Sequence, residues 1–189
     1  MELFREPGGY DQTVISVDAA FKGADTSDYV AIQVWSRAGA DFYLRASVNR
    51  HLDFPETVEK NRALCTAYPE ARPVIIEEAA NGAAIIATLR SELCVLPVKP
   101  IGGKVARVNA VSMLIETGHV FLPDPAGTEW ADGFLDQFTS FPNGAHDDMV
   151  DATSQALAYF ISHSCGSGEE VRESVTEQTA EERMFDVYG

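Results

Sequence analysis

The chain has 189 residues, 46% of them hydrophobic, and a formal net charge of −15. That length fits one domain with a tail, no apolar run approaches the roughly 20 residues that span a bilayer, and the first residues lack the basic-then-apolar order of a signal peptide, so a soluble, intracellular protein is expected. The charge counts against a protein that grips DNA unaided, because phosphate neutralisation supplies most of such affinity.

Residues 1–12, with Pro7, Gly8 and Gly9, read as a linker. Thr13–Asp18 is a short, β-branched, apolar run ended by an acid, which predicts a buried strand. A polar turn over Lys22–Ser27 follows, then strands over Tyr29–Trp35 and Phe42–Val48 around a hairpin loop at Arg37–Asp41. Helical spacing runs over Phe54–Tyr68 and stops before Pro69. Pro73–Glu77 is a fourth strand, again apolar and ended by an acid. Next come a helix over Ala79–Leu93, a strand over Cys94–Val98 and a helix over Lys104–Thr117 stopped by Gly118. A short strand at His119–Leu122, a helix over Glu129–Thr139, a turn at Phe141–Gly144 and a last helix over Asp147–His163 complete the pattern. Beyond residue 163 the chain is Gly/Ser-rich and then acidic. Seven acids against two arginines give a net −5 there, leave −10 on the rest, and predict disorder over 164–189.

Three consecutive strands joined by short turns predict an antiparallel meander. Later strands that follow helices are predicted to run parallel to the first. The expected fold is therefore an α/β, mixed five- or six-stranded sheet with helices on both faces. Cys65, Cys94 and Cys165 form no CxxC pair, which argues against a disulfide framework or zinc ribbon; Cys65 and Cys94 are expected as buried free thiols.

Three acids occupy comparable places. Asp18 and Glu77 end two strands predicted to be parallel, at the carboxyl edge where ligands of open α/β sheets bind. Asp148 and Asp151, three apart at the start of the last helix, share one helical face. Clustered carboxylates repel unless cations fill them, and all-oxygen ligands suit Mg²⁺ or Mn²⁺ rather than zinc. Each residue alone also reads as a cap, a turn residue or solvated surface; the conjunction in this order is what points to a site.

These segments resemble the C-terminal nuclease domain of the large terminase subunit of tailed bacteriophages. The resemblance rests on Val14–Asp18 with Thr26–Asp28, on Val74–Glu77 continuing through Asn81 and Gly82, and on Lys104–Arg107. It rests also on Gly118–Pro123 and on Phe141–Ala152, which contains His146-Asp147-Asp148-Met149-Val150-Asp151-Ala152. It implies an RNase H-like nuclease domain over 13–163. In that family's pattern Asp18, Glu77 and Asp148 are the catalytic acids that hold two Mg²⁺ or Mn²⁺ ions, and Asp18 is the one that bridges both. Asp147 and Asp151 are supporting ligands, and Glu78 is the alternate to Glu77, one residue past the strand end. Asn81, His146, Lys104 and Arg107 flank the site, the last two as candidate phosphate contacts. The implied activity is endonucleolytic cutting of concatemeric viral DNA during packaging, in the host cytoplasm. The implied partners are double-stranded DNA, a terminase ATPase domain, the portal and the small terminase subunit. No GxxxxGK[ST] loop occurs in these residues, so the motor, and with it a grip on DNA, is expected to lie elsewhere. Two other readings stay open: another RNase H-like nuclease of resolvase or transposase type, and a non-catalytic acidic docking module.

Overall fold

A computed structural model describes residues 2–3, 7–19, 28–78 and 82–163. The predicted tail, the turn at 22–27 with Thr26, and Asn81 lie outside them. Strands β1 (Glu2–Leu3), β2 (Gln12–Asp18), β3 (Asp28–Ala38), β4 (Asp41–Leu52), β5 (Ala71–Glu77), β6 (Val95–Val98) and β7 (Val120–Leu122) form one sheet. Its order is β1-β7-β4-β3-β2-β5-β6. Helices α1 (Phe54–Ala67), α2 (Gly82–Leu89), α3 (Lys104–Glu116), α4 (Ala131–Ser140) and α5 (Asp148–Ser162) accompany it. Among the described residues none of these helices is long and apolar enough to cross a membrane.

The pairing follows the predicted logic. β2, β3 and β4 form the antiparallel meander. β5 lies parallel to β2, β6 to β5, and β7 to β4. The six predicted strands are all present, and the sheet gains a seventh. Glu2–Leu3, expected within a linker, pair in parallel with β7 and add a two-residue edge.

Residues within strands alternate between faces. Ile15, Val17, Ile32, Val34, Val74 and Ile76 bury one face in an apolar cluster with Val58 of α1 and Ile85, Ile86 and Leu89 of α2. α1 is started by a capping box, in which the Asp53 carboxylate accepts from Glu56 N at 2.8 Å and Glu56 accepts from Asp53 N at 2.9 Å. α2 ends at Leu89, short of the predicted Leu93, because Arg90–Glu92 turn the chain and the Glu92 and Leu93 amides close onto the Leu89 carbonyl. Leu93 is thereby packed against the apolar cluster. The thiol expectation is corrected: Cys65 is half-buried and Cys94, just before β6, is exposed.

β3 and β4 are longer than predicted, 11 and 12 residues. A two-residue turn, Gly39-Ala40, joins them with Gly39 at φ +61°, so the expected five-residue loop contracts. At the other end the ribbon extends past Asp18, which pairs with Ala31, to the facing pair Tyr29 and His51. The end of β4 is polar and half-exposed, so backbone pairing with β3 holds it rather than an apolar pattern.

The described residues fall into two units, one ending at Ala158 and one beginning at Tyr159. The first carries the sheet. In the second, the described residues end α5, and the Tyr159 and His163 rings stack at 4.1 Å.

Candidate active site

Strand alternation and register bring the two strand-end acids together. Ser16 pairs with Ile75 and Val17 with Ile76, so Asp18 and Glu77 are each the next residue on neighbouring parallel strands. Both therefore fall on the face opposite the apolar cluster, at the carboxyl edge. Gly82 holds the other side of Glu77: a Cβ at that position would overlap the Glu77 carbonyl, so only glycine lets α2 begin so close to the end of β5.

α5 lies over this face with Met149, Ala152 and Ala156 buried and with a set of polar contacts. Ser16, Gln33 and Ser47 form a buried row across β2, β3 and β4. The Ser16 hydroxyl donates to the Ala152 carbonyl at 2.7 Å, and the Gln33 amide donates to the Met149 carbonyl at 3.1 Å. Gln33 Oε1 accepts from Trp35 Nε1 and from the Thr153 hydroxyl, each at 2.9 Å. One turn beyond Asp151, the Gln155 amide donates to Ser16 Oγ at 2.9 Å and to the Ile75 carbonyl at 3.1 Å. Those two contacts fall two residues before Asp18 and two before Glu77. Ser16, Gln33 and Gln155 carried no motif in the sequence; a polar residue at a buried strand position is the signal that marks the first two.

The start of α5 is capped from outside. Gln137 of α4 accepts from the Met149 amide at 2.9 Å, which leaves the Asp147 carboxylate free to reach elsewhere. Asp148 and Asp151 lie in the first turn, where the positive end of the helix dipole lowers the cost of placing carboxylates together.

The result is a cleft of about 270 Å³ that brings together Asp18, Glu77, Asp147, Asp148, Asp151, Lys104, Arg107 and His146. Glu78 does not line it; its exposed carboxylate lies 3.8 Å from Lys99. Tyr29 and His51, missed at the sequence level, complete the wall. The Tyr29 ring lies 3.9 Å from that of His51 and 4.4 Å from that of His146. The predicted meander aims β4 at this edge, but the strand was expected to end at Val48, short of His51.

Electrostatics confirm that these groups feel one another. Burial pushes the Asp18 carboxyl up to about 7, Asp151, Asp148 and Glu77 add to the rise, and Lys104 opposes it. Burial also raises the Asp148 carboxyl, with Asp147 adding to it against the pull of a backbone hydrogen bond, His146 and Lys104. His146 Nδ1 stands 3.9 Å from Asp148 Oδ2. Lys104 Nζ lies 2.7 Å from both Asp147 Oδ1 and Asp151 Oδ2, and Arg107 donates to Asp151 Oδ1 at 2.8 Å. Burial alone would lower the Lys104 ammonium, but its hydrogen bonds to Asp147 and Asp151 prevail and hold it above its ordinary value. Among the described residues no three His, Cys, Asp or Glu side chains converge closely enough to hold an ion as arranged. The donor set nonetheless fits a hard cation: carboxylates from two strands and a helix line the cleft, and a positive ammonium already sits on the Asp147 and Asp151 pair.

Comparison with known proteins agrees with this architecture. A search of curated protein sequences finds no match. The large terminase nuclease of thermophilic phage G20c, solved with bound zinc, superposes with a TM-score of 0.60 at 20% identity, covering 84% of this chain and 92% of that one. The same nuclease is known with bound cobalt and with bound magnesium. The human cytomegalovirus terminase nuclease domain gives 0.57 at 12% identity, over 88% and 90% of the two chains. The large terminase of a second thermophilic bacteriophage gives 0.64 at 13% identity, over 82% of this chain but 41% of that one, so the present chain spans about two-fifths of its length. At such identities the likeness is one of fold. The sequence itself matches the terminase RNaseH-like domain over residues 15–160, most of the chain, and the protein therefore belongs to the terminase RNaseH-like domain family.

Proposed function

We propose that this chain is a divalent-metal-dependent DNA endonuclease domain that cuts concatemeric viral DNA during genome packaging. The observation that carries the reading is the convergence of Asp18, Glu77 and Asp148 on one cleft. Asp18, Glu77 and Asp148, with Asp147 as a supporting ligand, would hold Mg²⁺ or Mn²⁺, two ions being the expected number. Such ions, when bound, supply Lewis acidity toward the phosphodiester and lower the pKa of water. The protein's own part is positional. The β2–β5 register sets Asp18 beside Glu77, and the Gln33, Ser16 and Gln155 contacts fix how α5 presents Asp148. The metal-bound states of the G20c nuclease support the reading.

With a net charge of −15, the domain is expected to depend on a partner for its hold on double-stranded DNA. The terminase ATPase domain is the natural source, with the portal and small subunit as further partners in the host cytoplasm. The test is plasmid nicking with Mg²⁺ or Mn²⁺, with and without EDTA, beside Asp18→Asn and Asp148→Asn. Metal-dependent cutting lost in both variants is the expected result. No cutting despite calorimetric Mn²⁺ binding would assign the DNA grip to the ATPase domain. No cutting and no binding would favour a non-catalytic acidic docking module.

A further inference from the structure

The cleft contains a cation of the protein's own. Lys104 opens α3 and crosses to the first turn of α5, where its ammonium sits 2.7 Å from one oxygen of Asp147 and 2.7 Å from one oxygen of Asp151. Arg107, one helical turn on, takes the other Asp151 oxygen at 2.8 Å. Asp151 is only 7% exposed, so both its oxygens are committed to nitrogen donors in a partly desolvated place. Asp147 is 35% exposed and keeps one oxygen clear of Lys104.

Carboxylates brought together out of water repel, and a charge at about 4 Å is felt strongly there. An ammonium among them relieves that repulsion. A divalent ion would relieve it too, but it and the ammonium repel each other and seek the same oxygens. The two are alternatives at the Asp147 edge. This sets Lys104 apart from Lys99, whose 3.8 Å contact with Glu78 lies on the exposed surface.

We propose that Lys104 is a tethered counter-ion of the cleft: anchored on Asp151, it holds Asp147 in the metal-free protein and competes with a divalent ion for that carboxylate. Asp151 then serves as the anchor of Lys104 and Arg107 and not as a metal ligand. The inference rests on the metal-centre reading above, and it separates three roles for Lys104. A tethered counter-ion steadies the metal-free fold but weakens metal binding. A merely structural lysine aids both. A phosphate contact affects DNA binding and leaves metal affinity alone.

The experiment is Mn²⁺ calorimetry, with melting in EDTA at pH 8, on the wild type, Lys104→Met and Lys104→Arg. Lys104→Met is expected to melt lower in EDTA yet bind Mn²⁺ about tenfold more tightly, and Lys104→Arg to restore both values toward wild type. Unchanged or weaker Mn²⁺ binding by folded Lys104→Met overturns the inference alone. Absence of Mn²⁺ binding in every protein overturns the metal-centre reading and the inference with it. The wild type provides a second measurement that needs no variant to fold. Labelling of Lys104 by an amine-reactive reagent, read by peptide mass, is expected to rise when Mn²⁺ saturates the site; labelling that Mn²⁺ leaves unchanged overturns the proposal.

Discussion

The two faces of the central sheet differ in what is added to apolar burial. On one, Ile15, Val17, Ile32, Val34, Val74 and Ile76 meet α1 and α2 through apolar burial, which is non-directional and tolerates small shifts. On the other, Ser16, Gln33 and Gln155 meet α5 through hydrogen bonds of 2.7 to 3.1 Å. Such bonds are directional, and each contributes only about 1 kcal/mol net. Apolar burial stabilises both faces, since Val14, Ile75, Ala152 and Ala156 are fully buried on the second, but only the second adds a row of hydrogen bonds that fixes where α5 sits. The candidate site lies at the end of the polar face, so stability and chemistry should separate under mutation.

The largest separation is expected at Asp18. Asp18→Asn should reduce metal-dependent cleavage by about 10³-fold or more, equivalent to about 4 kcal/mol in the barrier. The same change should raise the melting temperature in EDTA at pH 8, because it removes a buried carboxylate whose charge its neighbours oppose. A variant that cuts normally would remove Asp18 from the chemistry. On the apolar face the signs reverse. Ile76→Ala, at a fully buried position, should cost about 2–5 kcal/mol in urea unfolding. Cleavage per folded molecule should stay within about twofold of wild type. A larger loss of activity would show that the faces are not separable.

Much of this arrangement was legible from residues. Apolar runs ended by Asp18 and Glu77 marked two parallel strands, and the spacing of Asp148 and Asp151 marked a shared helix face, because periods of 2 and 3.6 are written directly into hydrophobicity. Tyr29 and His51 were not legible in this way. Tyr29 opened a predicted strand, but it meets His51 through backbone pairing at the polar end of β4, where no apolar alternation signals a strand. The pairing of Lys104 with Asp147 and Asp151 spans 43 and 47 positions and depends on how α3 meets α5, which no local pattern encodes. Glu77 and Glu78 differ by one residue, and only the register sends the first into the cleft and the second toward Lys99.

The effect of pH sharpens the contrast between the faces. Asp18 ionises near 7 in the folded protein, against an ordinary value of 3.8. The folded state thus holds a proton that the unfolded chain has released across that window. Stability from this group is present in full below about pH 4, declines as pH rises toward 7, and is gone above it. Asp148, also raised, acts in the same direction. In EDTA the protein should lose on the order of a few kcal/mol between pH 5 and pH 8, and Asp18→Asn should flatten that slope. A wild type more stable at pH 8 than at pH 5 would contradict the clustering of these acids. Ile76→Ala should lower the whole curve without changing its slope.

The smallest expected effect is also the finest probe of the polar face. Gln155 touches no carboxylate of the cleft; it ties α5 to Ser16 and to the Ile75 carbonyl. Gln155→Leu keeps the volume and removes the donor, so stability should fall by only about 1 kcal/mol. If α5 is aimed by these bonds, Mn²⁺ affinity and cleavage should each fall about tenfold, because small displacements of positioned groups are amplified in rate. Equal, small losses in stability and activity would mean that packing of Met149, Ala152 and Ala156 aims the helix without help. A loss of metal affinity larger than the loss of stability would place the directional bonds, and not the apolar contacts, in control of the site.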